Sequence, residues 1–140
     1  MEKQMKKVTV RIMLAVNYLS LFSVVGLFHG LNNAEASPYL YLWELLPIAL
    51  LIWSFVIVFW RSGMWNMVHY DKKLDERENA QVLEALRLAY GIFSILVLLV
   101  IYVAAVIDRG PITVIGAAGL LYLAHTLPAA VLGWKVSVTE

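Results

Sequence analysis

An ionisable side chain inside a bilayer is costly, and for that reason is a functional candidate. In this chain of 140 residues His125 is the clearest instance, flanked by Tyr122, Thr126 and Pro128. It lies about nine residues, or about 13 Å at helical rise, from the inner end of an apolar stretch. Asn17 stands about five residues from the same side of another stretch, so a hydrogen bond between the two, direct or through water, would build an intramembrane polar site from Asn17, Tyr122 and His125. The competing reading is a neutral histidine satisfied by one neighbouring helix, acting as interhelical glue.

His29, Asn32 and Glu44 form a second candidate, an outer-face polar site. Glu44 is the one acidic residue inside a predicted span, near its outer end, and is expected to reach water. A proton-coupled exporter would need a carboxylate deeper in the membrane, and the other spans supply none. Bis-histidine haem binding by His29 and His125 fails on depth, because the two lie about 12 Å apart along the membrane normal. His69 is assigned to the cytoplasmic interface. With no cysteine, disulfides, thiolate metal sites and thiol catalysis are excluded. No Gly-rich phosphate loop, HExxH or GxSxG pattern occurs, so no catalytic, cofactor or metal residues are expected.

The elements that must hold these residues follow from composition. Hydrophobic residues make up 61% of the chain and charged ones 15%, with 61% well above the soluble norm. The mean hydropathy is +0.76. About 20 predominantly apolar residues cross a hydrocarbon core, and four segments satisfy this, at about 12–31, 42–60, 88–107 and 112–134. Helices are the form that leaves no backbone group unsatisfied in lipid. The expected fold is an all-α four-transmembrane-helix bundle in one domain. A basic start, an apolar stretch and Ala34-Glu35-Ala36 imitate a cleaved signal peptide, yet the stretch is longer than a secretory core of about 7–15 residues, so a retained first span is expected.

Charge sets the orientation. Of 11 Lys and Arg, all but Arg109 fall on the N-terminal flank, the central 61–87 loop or the C-terminal flank. Both termini and that loop are therefore expected on the cytoplasmic side. A net charge of +1 with no basic stripe argues against nucleic acid as a partner. The partners expected are the lipid bilayer and other membrane-protein subunits, or further copies of this chain.

Small residues mark packing faces: Gly26 and Gly30 in the first span, with Ser20 and Ser23 on the same stripe, and Gly116, Gly119, Ala129 and Gly133 in the fourth. The first and fourth helices are the expected packing partners. In the second, Ser37-Pro38 reads as a helix start. Pro47 then either kinks that helix or lies in the first turn of a later start, and both remain open.

The one strongly polar stretch is 71–87, read as a helix capped by Asp71 with an apolar face of Leu74, Val82, Leu83, Leu86 and Tyr90, running into the third span. Asp75, Glu76 and Arg77 are its candidate docking residues, against the plainer reading of a solvated charged face. The segment Leu74-Asp75-Glu76-Arg77-Glu78 resembles small uncharacterised bacterial multi-pass membrane proteins in which an Asp-Glu-Arg triplet opens the helix before a span. That resemblance implies a bacterial inner membrane and carries no activity. The function expected is a non-catalytic accessory or regulatory subunit. The alternative is a homo-oligomeric transporter or channel lined by Glu44, Asn17 and His125.

Overall fold

The computed structural model describes residues 7–69, 74–108 and 110–139. Among them there are helices and turns and no strand. Four helices are long and apolar enough to cross a membrane: Val8–Asn33, Pro38–Trp60, Glu76–Ile107 and Val114–Lys135. The chain divides into two compact units, Met1–Ser62 and Gly63–Glu140.

In the first unit α1 (Lys7–Asn33) packs on α2 (Leu45–Phe55). A 3-10 segment, Pro38–Glu44, leads into α2, and a π-helical turn, Val56–Trp60, continues it. Ser37 and Pro38 do open the element, although the Ser37 side chain makes no capping bond. Pro47 sits in the first turn of α2. The α-helical part begins at Leu45, after the 3-10 segment that Ser37-Pro38 opens, so the missing N–H of Pro47 falls in the first α-helical turn. The seam on α1 is Leu14, Asn17, Leu21 and Val24, spaced three and four apart, all buried. Ser54, Val58 and Phe59 are buried on the facing element. Gly26 and Gly30 lie off this seam, exposed, and a Cβ on either would meet nothing within 4 Å.

The second unit holds α3 (Met64–His69), α4 (Glu76–Tyr102, continued by a π-helical Val103–Asp108) and α5 (Val114–Thr139). Gly63, at φ +75, makes the turn into α3, a conformation that costs an L side chain energy. Both α4 and α3 pack on α5. Val82, Ala85 and Leu132 form the centre of this core, with Met64, Met67, Val68, Leu74, Leu86 and Val131 around it. Within the stretch expected as a cytoplasmic loop and helix, 61–87, α3 is thus an additional packed helix ahead of α4.

The α4 start also differs from expectation. Asp75 is the cap, in extended conformation, and the helix begins at Glu76; Asp71 lies outside the described residues. Asp75 Oδ1 accepts from the Glu76 amide at 2.7 Å, and the Asp75 amide donates to Glu78 Oε2 at 3.2 Å, a reciprocal capping box. Of the five residues of the expected apolar face, Leu74, Val82 and Leu86 pack in this core. Val82 and Leu86 face the core, but Leu83 and Tyr90 are exposed, and Ala85 and Ala89 replace them. Small side chains bring two helix backbones together, and in lipid that proximity stabilises more than bulk.

Candidate functional site

Asn17 is 0% exposed. Its Nδ2 donates to the Leu51 carbonyl at 3.2 Å and to Ser54 Oγ at 3.0 Å, both on α2. Ser54, also buried, donates back to the Leu50 carbonyl at 2.8 Å. This is a closed clamp between α1 and α2, the glue role for an intramembrane amide. Next to it an open groove of about 670 Å³ is lined by Val16, Ser20, Ser23, Leu46, Pro47 and Leu50 among others. The hydroxyls of Ser20 and Ser23 donate to the carbonyls four residues back, Val16 and Leu19, leaving the groove apolar in character.

Glu44 is 7% exposed rather than open to water, and its Oε1 has no hydrogen-bond partner. The 3-10 turn ending at Glu44 rotates the side chain inward, a placement that span prediction does not encode. His29 pairs through Nε2 with Asn33 Nδ2 at 3.1 Å, and the Asn32 carbonyl accepts from the Glu35 amide at 3.3 Å in the turn that ends α1.

In the second unit His125 is exposed on α5, and its Nδ1 lies 2.8 Å from the Leu121 carbonyl. The Tyr122 carbonyl accepts from Thr126 Oγ1 at 2.9 Å. The neighbour that sequence reasoning placed elsewhere is His69. Its ring lies 6.2 Å from that of His125, centroid to centroid, with the planes 10° apart. Trp65 stacks on the other histidine of the pair, 3.9 Å from His69 at 17°. The signal for Trp65 and His69 was their spacing of four, which places both on one face of a helix once α3 is recognised as one. Nothing local in the sequence links either of them to His125.

Comparison with known protein families, curated proteins and solved structures finds no match to this chain. Function rests on the chemistry of the chain itself.

Of the proposed docking residues, Asp75 has a structural task as the α4 cap, while Glu76 and Arg77 are exposed in its first turn. Everything from Glu76 to Ala80 is exposed, ahead of the first buried contact at Val82. Farther along, Glu84 is paired with Lys135, tying α4 to α5. Among the small residues of α5, Gly119, Ala129 and Gly133 are buried within the unit. Gly116 instead belongs to the helix start: its amide donates to Thr113 Oγ1 at 3.0 Å, and an added Cβ would come within 3.1 Å of that oxygen. Among the described residues no group of three or more His, Cys, Asp or Glu is positioned to hold a metal ion.

Proposed function

We propose that this chain is a non-catalytic accessory or regulatory membrane subunit that presents the charged start of α4 to a partner. The observation that supports this reading is the continuity of α4. A single helix carries the exposed, charged Glu76–Ala80 turn, is seated on its unit by Val82, Ala85 and Ala89, and runs on into a membrane-length apolar stretch. Such a helix holds a polar recognition turn at a fixed distance from the bilayer without needing a separate domain. The excess of Lys and Arg on the termini and central segment favours a cytoplasmic position for that turn, with both chain ends on the same side.

The capping geometry decides how this is tested. Asp75→Ala would remove the cap and disturb the turn whether or not a partner binds there. Glu76→Ala combined with Arg77→Ala leaves the cap intact. Loss of a stoichiometric co-purifying partner from the Glu76/Arg77 variant in mild detergent supports docking at α4. A partner retained at wild-type stoichiometry overturns it.

The burial of an unpaired Glu44 favours a second reading, a homo-oligomeric transporter or channel in which Glu44, Asn17 and His125 line the path. Against it, the Asn17 amide is already enclosed by α2. Solute flux in proteoliposomes unaffected by both Glu44→Gln and His125→Ala would remove this reading.

A further inference from the structure

We infer that α3 is a re-entrant membrane element whose exposed face, Asn66 and His69, rests against the lipid boundary layer instead of standing in water. The inference rests on α4 and α5 crossing a membrane and is independent of docking at α4. Depth along the unit follows from the Glu84–Lys135 pair, which sets those two residues at one level. On α4 one further charge, Arg87, follows about 4.5 Å farther on, and then an uncharged stretch reaches residue 107. On α5, which runs back along α4, His125 lies about 15 Å from Lys135, and so about 10 Å past the level of Arg87. His125 is inside the membrane-length helix Val114–Lys135. The His69 ring is 6.2 Å from the His125 ring, so even with that whole separation along the axis His69 stands about 4 Å past Arg87.

The rest of α3 is seated nearer the charged level. Met64, Met67 and Val68 pack on the cluster of Val82, Ala85 and Leu132, and Leu74 packs on the same cluster, so by Leu74 the chain has returned. α3 thus covers α5 from Leu132 to His125 and leaves the layer on the side it entered. An interfacial helix sinks its apolar face about 5–10 Å into the boundary between headgroups and acyl chains, and the depth of His69 agrees with that. The side chains suit the same layer. Trp65 joins an apolar ring to a polar N–H, a combination favoured at headgroup level. Nδ1 of His69 lies 3.2 Å from the Trp65 carbonyl, and Nδ1 of His125 lies 2.8 Å from the Leu121 carbonyl. A carbonyl oxygen only accepts, so each Nδ1 donates within its own helix, and a donor that lipid could not satisfy is removed.

The chain has no cysteine, so one introduced thiol takes a nitroxide label at a single position. Asn66→Cys and His69→Cys test the face of α3, with exposed Ala80→Cys on the charged turn of α4 and exposed Leu98→Cys in its apolar stretch as references. Each full-length variant is reconstituted in phosphatidylcholine vesicles, and collision of the label with oxygen, which concentrates in hydrocarbon, is compared with collision with a water-soluble nickel chelate. The expected ratio of oxygen to nickel accessibility at Asn66→Cys and His69→Cys is several-fold above that at Ala80→Cys and below that at Leu98→Cys. Labels on α3 as open to nickel as the Ala80→Cys label, with Leu98→Cys in hydrocarbon, overturn the re-entrant placement and leave the span intact. Labels on α3 shielded from both reagents overturn it in favour of a protein partner covering that face. A Leu98→Cys label open to nickel removes the span and the placement together. Should His69→Cys disturb the ring stack, Asn66→Cys, outside that stack, decides the outcome alone.

Discussion

The two units solve the same problem, joining helices where lipid is as apolar as leucine, by different means. In the first, α1 and α2 are joined through a buried polar clamp, Asn17 to Ser54 and Leu51, set into a seam of Leu14, Leu21 and Val24. In the second, no buried polar side chain is shown clamping one helix to another: Ala85, Ala89, Ala129 and Ala130 pack with Val82, Leu123, Leu127 and Leu132, and the hydroxyl of the buried Thr126 donates to the Tyr122 carbonyl of its own helix. Its other polar groups include the Glu84–Lys135 pair and the exposed His69 and His125. The contrast separates structural polarity from available polarity. Where a polar side chain is buried and bonded across two helices it positions them, and where it is exposed it is left to meet what lies outside the unit.

Substitutions can break or sharpen that contrast. Phe59→Ala should have the largest effect, because Phe59 is 0% exposed and its ring packs 5.3 Å from Phe55. A cost of about 3 kcal/mol is expected, read as lost hydrogen-exchange protection across α1 and α2. Ala85→Leu attacks the second unit in the opposite sense, by overfilling a contact that depends on a small side chain. A loss of about 2 kcal/mol in reversible unfolding is expected there, whereas a neutral Ala85→Leu would show that α4 and α5 are not closely packed.

The clamp itself should rank lower despite its burial. Asn17→Ala is expected to cost about 1 kcal/mol, since interhelical hydrogen bonds in membranes contribute modestly and Ser54 keeps its bond to the Leu50 carbonyl. A cost well above that would mean the first unit relies on polarity more than on its apolar seam. Asp75→Ala should cost about 1 kcal/mol and fray the start of α4 in circular dichroism, while Asp75→Ser, which can still cap, should restore the helix. The smallest change is expected for Gly26→Ala, where the new methyl meets nothing. An oligomer that dissociates on Gly26→Ala would reveal a close contact with another chain at that face.

Much of the second helix and of α4 was legible in advance. Ser37-Pro38 announced a helix start, and the polar run 71–87 announced a helix leading into the third span, which the structure shows from Glu76 with Asp75 as its cap, because caps, proline and acidic first turns act on their own backbone. The inward turn of Glu44 was not legible, since it depends on a 3-10 segment whose sequence, Pro38–Glu44, is as apolar as an α-helical one. The seating of α4 by alanines was misread for a related reason. Periodicity ranks residues by hydrophobicity and so points to Leu83 and Tyr90, whereas close packing selects by size.

By itself the sequence determined four membrane-length helices, the asymmetry of their flanking charge and the polar start of α4. Hydropathy and charge are summed over neighbours in the chain, so no partner is needed to read them. Only the tertiary structure decided that Asn17 would meet Ser54, that Glu44 would turn away from water and that His69 would come alongside His125. Those outcomes depend on which faces of two helices meet, and a face is fixed by packing between segments far apart in the chain.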